Sequence, residues 1–205
     1  MITPYYKDED IELYCGKAEI ILPQLDLRPS LLLSDPPYPN GAGHFVEEIE
    51  TARILLKQID CNHKIIFWDE MNEFDAGLPL VAKHIWHRNN TNRPDNYEMI
   101  YEYCADGRKR ASRVLPYPVI AIGLTGCTEA TGHPTQKNKK LIKRLIEMSG
   151  ERGLILDPYC GSGTTLVAAK LCGMKAIGIE QDEEYCRLAV EKRLNRPMPL
   201  FAVSL

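Results

Sequence analysis

The residues best equipped for chemistry lie in Asp35-Pro36-Pro37-Tyr38, directly after the apolar run SLLLS. Two successive prolines donate no backbone hydrogen bonds and hold φ at about −65°. The segment must therefore leave a strand as a stiff, extended finger. It offers a carboxylate, several unpaired carbonyl oxygens and a phenol ring. That set suits a flat aromatic amine, whose NH2 group finds acceptors while its ring is stacked. An exocyclic amine of adenine or cytosine is a poor nucleophile, because its lone pair is delocalised into the ring. Acceptors on its N–H bonds steer the lone pair toward an incoming methyl group, which is positioning plus electrostatic stabilisation. A base inside a duplex would have to be flipped out to be reached. The plain alternative is a proline-rich turn after a strand; Tyr38 and the apolar run before Asp35 weigh against it.

The second segment is Asp157-Pro158-Tyr159-Cys160-Gly161-Ser162-Gly163-Thr164-Thr165, between the run GLIL and a helical pattern. Glycines let the backbone approach a ligand closely. No lysine follows Gly163, so the triphosphate-binding pattern is absent, and Leu166 stands where the dinucleotide pattern needs its last glycine. Asp157 would repel a pyrophosphate but could hold an ammonium group. Glu180 ends the next strand-like run, where a carboxylate in such folds accepts hydrogen bonds from ribose hydroxyls. A ligand with an amino-acid ammonium and a ribose but no phosphate fits S-adenosyl-L-methionine. The third segment, His133-Pro134-Thr135-Gln136-Lys137, precedes a helical pattern. Hydroxyl, amide and ammonium groups beside a helix N-terminus suit a carboxylate, though a capped helix start with solvated lysines reads equally well.

Four short apolar runs that end in a carboxylate must position these groups: Ser30–Asp35, Lys64–Asp69, Gly153–Asp157 and Lys175–Glu180. They read as buried parallel strands, and open α/β sheets bind ligands outside the carboxyl ends of their strands. Further strand-like runs are Ile11–Cys15, His84–Arg88, Glu98–Cys104 and Val119–Gly123. Helices are expected over His44–Ile59, Asn138–Ser149 with Gly150 as its stop, Gly163–Cys172 and Asp182–Leu194. Asn89–Asp95 and Ala105–Arg113 are polar and turn-rich and read as loops.

Composition bounds the rest. With 205 residues, 44% apolar and 26% charged, the chain reads as one soluble α/β domain, residues 1–205. It has no run of about 18 or more apolar residues, so no membrane helix is expected. The polar, acidic N-terminus does not resemble a signal peptide. The seven cysteines form no CxxC pair, so reduced thiols in a cytoplasmic protein and no metal site are expected. The net charge of −3 demands no nucleic-acid partner, but phosphate contacts need only a local basic face.

In this order, DPPY, HPTQK and DPYCGSGTT resemble the amino-directed DNA methyltransferases that modify adenine N6 or cytosine N4, in the permuted class often called beta. The resemblance runs from roughly Ile11 to Arg193. It implies an S-adenosylmethionine-dependent, Rossmann-like three-layer α/β sandwich with a mostly parallel sheet. It implies a catalytic motif of Asp35, Pro36, Pro37 and Tyr38, in which Asp35 and the Pro36 carbonyl hold the target amine and Tyr38 stacks on the flipped base. It implies that Asp157, Tyr159, Cys160, Gly161, Ser162, Gly163 and Thr164 surround the methionine part of the cofactor. Glu180 would hold the ribose, with Thr135 and Lys137 near the cofactor carboxylate. Target recognition would fall to a short insert over about 88–113, where Arg88, Arg93, Arg108, Lys109, Arg110 and Arg113 supply a basic face toward double-stranded DNA. So short an insert suggests a brief site, a homodimer or a partner protein. Adenine N6 is favoured because aspartate at the first motif position is commoner in adenine enzymes; cytosine N4 is the alternative, ahead of an RNA or protein amine and of an inactive binding module. A restriction-modification or phage setting would suit such an enzyme. Three positions depart from the family pattern: Lys17 follows Gly16 where an acid is usual, Asn138 follows Lys137 where proline is usual, and Tyr159 replaces phenylalanine.

Overall fold

A computed structural model describes residues 2–39, 46–71, 74–91, 96–120 and 136–195. Among the described residues, nine strands form one sheet: β1 (Tyr6–Lys7), β2 (Ile11–Cys15), β3 (Leu31–Ser34), β4 (His63–Trp68), β5 (Leu80–His87), β6 (Tyr97–Cys104), β7 (Val114–Pro116), β8 (Ile155–Asp157) and β9 (Ala176–Glu180). Their spatial order is β1-β2-β9-β8-β3-β4-β6-β5-β7. All neighbouring pairs from β2 to β4 in this order are parallel. β6 runs against both β4 and β5, and β7 is parallel to β5. The sheet is therefore mostly parallel, as expected. The four acid-terminated runs are β3, β4, β8 and β9, and they lie side by side at its centre.

Side chains alternate between the two faces, as the strand period requires. Leu31, Leu33, Ile65, Phe67 and Ile155 pack on one face with Leu141, Leu145, Leu166 and Ala189 of the helices α3 (Lys139–Ser149), α4 (Thr164–Leu171) and α5 (Glu183–Ala189). Leu32, Ile66, Trp68, Leu156 and Ile177 pack on the other with Ile21 of α1 (Ala18–Ile21) and Leu56 of α2 (Val46–Gln58). This is the three-layer sandwich. Asn138 starts α3 by accepting hydrogen bonds from the Lys140 and Leu141 amides, and Gly150 ends it at φ 72°. The last expected helix is shorter than its pattern: α5 gives way to a π-helical turn over Val190–Leu194.

Chain order explains where the site falls. From β3 the chain moves to β4 on one side, and from β8 it moves to β9 on the other. The β3–β8 boundary is thus the switch point, where the diverging connections leave a crevice at the carboxyl ends of the strands.

Within residues 88–113, β6 occupies the middle of the span, where a strand is expected, and is hydrogen-bonded on both sides within the sheet. One expectation is corrected here. Val119 and Ile120 are not in a strand; the short strand after the second loop is β7, and residues 121–123 lie outside the described set.

Candidate active site

The crevice collects the ends of β3, β8 and β9. Asp35 is the first residue beyond β3, and Ser34 is the last within it. Asp157 ends β8 and Glu180 ends β9. Ser34 Oγ donates to Asp157 Oδ1 at 2.8 Å, and the Tyr159 amide donates to the same oxygen at 3.1 Å. Burial and the nearby charge of Asp35 push the Asp157 carboxyl up to about 7, against the hydrogen bonds from Thr165 and Ser34. A buried carboxylate in this position is stabilised by a cation.

The glycine-rich loop wraps this carboxylate. The Cys160 amide donates to the Ile179 carbonyl at 3.0 Å, and Gly161 donates to Glu180 Oε2 at 2.9 Å. Gly161 and Gly163 have φ of 52° and 78°, a region glycine enters without a steric cost. Ser162 and Thr164 are buried. Arg193 ties the loop to the end of the chain's last turn, donating to Thr164 Oγ1 at 2.7 Å and to the Ser162 carbonyl at 3.3 Å. Sequence reading missed Arg193, because it lies about 30 residues from the loop with no motif around it. Glu180 accepts from the Gly161 and Asp182 amides, and burial raises its carboxyl.

Asp35, Pro36, Pro37 and Tyr38 leave the sheet as a finger without regular secondary structure. Pro36 is buried, and the Tyr38 ring lies 6.1 Å from that of Trp68 at 51°. Burial raises the Tyr38 phenol above its ordinary value, so the phenol stays protonated. Asp35 Oδ1 is buried with no hydrogen-bond partner among the described residues. An unpaired buried acceptor costs roughly 1–3 kcal/mol, and this one belongs to the residue just beyond the end of β3.

Lys137 is engaged differently from the expectation of a cofactor carboxylate. Its ammonium lies 2.6 Å from Asp35 Oδ2 and 3.0 Å from Glu98 Oε2. The rings of Phe67 and Trp86 lie 5.0 and 5.8 Å from it. The reason is local charge: Asp35 and Glu98 converge there, and a buried ammonium needs both partners and hydrogen bonds. Glu98 was not foreseen, since a single acid at the start of a strand carries no pattern. Thr135 lies outside the described residues.

The basic residues of this set that are described lie in separate places. Arg88 follows β5 at the crevice end, ion-paired with Glu98 and 5.2 Å from the Trp86 ring centre. Arg93 lies outside the described residues. The loop with Arg108, Lys109 and Arg110 emerges at the opposite end of the sheet, because β6 runs antiparallel to β4 and delivers the chain beside His63, where β4 begins. There Lys109 Nζ donates to the Leu80 carbonyl at 2.6 Å. Arg110 is 2.9 Å from the buried Glu102, and Arg108 pairs with Asp106 at 3.2 Å. Arg113 is exposed beside the middle of β5, its carbonyl accepting from the Ile85 amide. The length of β5, on the order of 23 Å, separates Arg88 from the 108–110 group. Strand direction therefore places Arg88 and the 108–110 group at opposite ends of β5.

Among the described residues no cluster fit for a metal ion is present and no helix is long and apolar enough to cross a membrane. The six described cysteines are free thiols.

Comparison with known proteins agrees with this geometry. The N6_N4_Mtase family model, described as DNA methylase, matches residues 57–191. Over 118 residues the chain is 40% identical to the Type II methyltransferase M2.LlaDCHI of Lactococcus lactis subsp. cremoris, covering 55% of this chain and 41% of that protein. Over 63 residues it is 51% identical to the Type II methyltransferase M2.DpnII of Streptococcus pneumoniae, covering 30% and 23%. The chain thus matches less than half the length of either relative. Among solved structures, the M1.HpyAVI–SAM complex superposes with a TM-score of 0.72 at 23% identity, covering 91% of this chain and 100% of that one. The PvuII DNA methyltransferase, titled cytosine-N4-specific, gives 0.70 at 15% identity, covering 96% and 90%. At these identities the likeness establishes the fold. The family match runs from the end of α2 through β9 and α5 and contains the glycine-rich loop, so the chain belongs to the N6_N4 family of DNA methylases.

Proposed function

We propose that this chain transfers a methyl group from S-adenosylmethionine to the N6 amine of adenine in DNA. The observation that carries the reading is the pairing of two unlike carboxylates across the β3–β8 boundary. Asp157 is buried, held by Ser34 and in need of a cation. Asp35 beside it keeps one oxygen unpartnered among the described residues. An ammonium suits the first and an N–H donor suits the second. That is the donor set of an amino-acid sulfonium and a base amine, lying side by side.

The residues fit the cofactor. Asp157 would accept from its ammonium, Gly161 to Gly163 would pass close to its methionine part, and the Glu180 carboxylate, at the end of the next strand, would face its ribose. When bound, the cofactor supplies an electrophilic methyl on a positively charged sulfur. The chain's own residues do the rest by placement. Asp35 Oδ1 accepts one amine N–H, and the finger's carbonyl oxygens take the other. The nitrogen lone pair would then be turned toward the side of the crevice where Asp157, Gly161 to Gly163 and Glu180 would hold the methyl donor. The nitrogen sheds one proton, for which Asp35 Oδ1 is the nearest acceptor. Tyr38 stacks on the flipped base, and Trp68 backs that ring.

Adenine is preferred over cytosine because of the aspartate at the head of the DPPY motif. The test is mass spectrometry of nucleosides from duplex DNA incubated with the full chain and S-adenosylmethionine. N6-methyladenine is expected. N4-methylcytosine alone would reassign the base, and methyl transfer only to RNA or protein would overturn the reading.

A further inference from the structure

Four charged side chains alternate in sign along the crevice. Arg88 pairs with Glu98, Glu98 with Lys137, and Lys137 with Asp35. They come from the end of β5, the start of β6, the residue before the α3 cap and the end of β3, so only the fold brings them together. Resting on the reading above, we propose that Lys137 is a positioning residue for methyl transfer: clamped by Glu98, its ammonium holds Asp35 Oδ2 and so aims Oδ1 at the target amine.

Three observations support the clamp. Lys137 is built in: its side chain is 8% exposed, against 25% for Asp35. The Phe67 and Trp86 rings beside its ammonium restrict its rotamers. Its backbone is fixed too, since Thr164 Oγ1 lies 3.5 Å from its carbonyl oxygen and the next residue, Asn138, caps α3 and donates to the Pro118 carbonyl at 2.9 Å. Asp35 itself has freedom to lose. A carboxylate beyond the last strand residue, between two prolines and a crevice, can turn unless one oxygen is held. With Oδ2 held, the remaining acceptor direction is set before the base arrives, and misplacement by about 1 Å can cost about 10²-fold in rate. Glu98 is needed because a lysine with Asp35 as its sole partner would follow that side chain rather than anchor it.

The charge balance points the same way. The groups whose charges bear on Asp35 or its neighbour Tyr38 are Asp157, Asp69, Lys137 and Arg88, with Glu98 behind Lys137. Removing Lys137 leaves a carboxylate-rich crevice with Arg88 as the remaining cation of this set.

The decisive variants are Lys137→Met, which keeps the length and removes the charge, and Glu98→Gln, which keeps Lys137. Three readouts are needed: the single-turnover methyl-transfer rate on duplex DNA across pH, cofactor affinity by calorimetry, and the 13C carboxyl resonance of Asp35 in the cofactor-free protein. For Lys137→Met the saturated rate is expected to fall about 10²-fold. Cofactor affinity should stay within about threefold, and the Asp35 carboxyl resonance should move and broaden as the held oxygen is released. Glu98→Gln should lower the rate about tenfold at unchanged cofactor affinity, a smaller loss of the same placement. If Lys137→Met weakens the cofactor tenfold or more while the saturated rate is kept, Lys137 serves the cofactor and the proposal falls. Unchanged rates in both variants also overturn it. If the wild-type chain methylates no DNA, the functional reading fails separately; the resonance then decides, and an Asp35 carboxyl resonance unchanged in position and width in Lys137→Met removes the clamp. Should Lys137→Met not fold, Glu98→Gln decides: a wild-type rate and pH profile in that variant overturns the proposal.

Discussion

Ser34 Oγ donates a 2.8 Å hydrogen bond to Oδ1 of Asp157, a residue 123 positions later in the chain. This bond joins the ends of the adjacent parallel strands β3 and β8. It locks the carboxylate that suits a cofactor ammonium to the strand that presents Asp35. Losing the Asp157 charge removes a charge-assisted contact worth roughly 1.5–3 kcal/mol. Asp157→Asn is therefore expected to weaken S-adenosylmethionine binding by about 10- to 100-fold in calorimetry. Ser34→Ala should weaken it by less, because Tyr159 and Thr165 still hold the carboxylate.

The pH dependence of cofactor binding follows from the same group. In the cofactor-free protein Asp157 takes up a proton near pH 7, whereas an unfolded chain releases it near its ordinary value of 3.8. An ammonium ligand needs the ionised form. Affinity should therefore rise by about tenfold per unit as pH increases toward 7 and then level off. Folding stability moves the other way, because between those values the folded state binds the proton more tightly. This group's contribution is largest below pH 3.8 and declines as pH rises through about 7. Calorimetry from pH 5.5 to 7.5 and urea denaturation over the same range test both. Asp157→Asn should flatten both trends, and a flat wild-type binding profile would contradict the assignment.

In the proposed mechanism, Asp35→Ala removes the acceptor for the target amine. Turnover should fall by about 10²-fold or more, as when an oriented donor or acceptor is deleted from a transition-state site. Cofactor affinity should be largely kept, since Asp157 and the loop remain. Single-turnover kinetics beside calorimetry separate the two effects. A variant with near-normal turnover would take Asp35 out of the mechanism.

Gly178→Ala tests how closely β9 packs under the cofactor loop. A Cβ on Gly178 would sit 2.8 Å from Cys160 Sγ and 2.9 Å from Leu166 Cδ1. Both neighbours are buried, so the strand or the loop must shift. Overpacking of this kind costs roughly 1–3 kcal/mol. A lowered urea midpoint together with weaker cofactor binding is expected. A loss of stability with unchanged cofactor affinity would show that the loop absorbs the shift.

Glu102 anchors the opposite end of the sheet. Its oxygens lie 2.9 Å from His63 Nε2, 3.0 Å from His84 Nε2 and 2.9 Å from Arg110 Nη1. Against the cost of burial, these partners hold its carboxyl down at about 2, from an ordinary 4.5. Its stabilisation is thus complete above about pH 4.5 and is lost as pH falls toward 2. Glu102→Ala should cost about 3–5 kcal/mol at neutral pH, because it strands buried partners. The loss should shrink in acid. Turnover of the folded fraction should not change, since this network is a strand's length from the crevice. Denaturation at pH 3 and 7 with activity at 20 °C (about room temperature, well below unfolding) checks all three statements.

Asp35 to Tyr38, Asp157 to Thr165 and Glu180 were legible in the sequence because each is a local pattern. Proline stiffness, glycine spacing and an acid at the end of an apolar run are properties of neighbouring residues, and they fix what a segment can hold. The four acid-terminated strands were legible for the same reason. The two faces of the sheet followed from alternation once the strands were paired. What tertiary structure alone decided is how charges meet across strands. Glu98, Arg88 and Lys137 belong to three separate stretches, and no spacing rule could join them to Asp35. Arg108, Lys109 and Arg110 looked like part of one basic face because they are close in sequence to Arg88. The reversed direction of β6 carries them to the other end of the sheet. Sequence determined which groups the crevice would contain; strand direction and order determined which of them could touch.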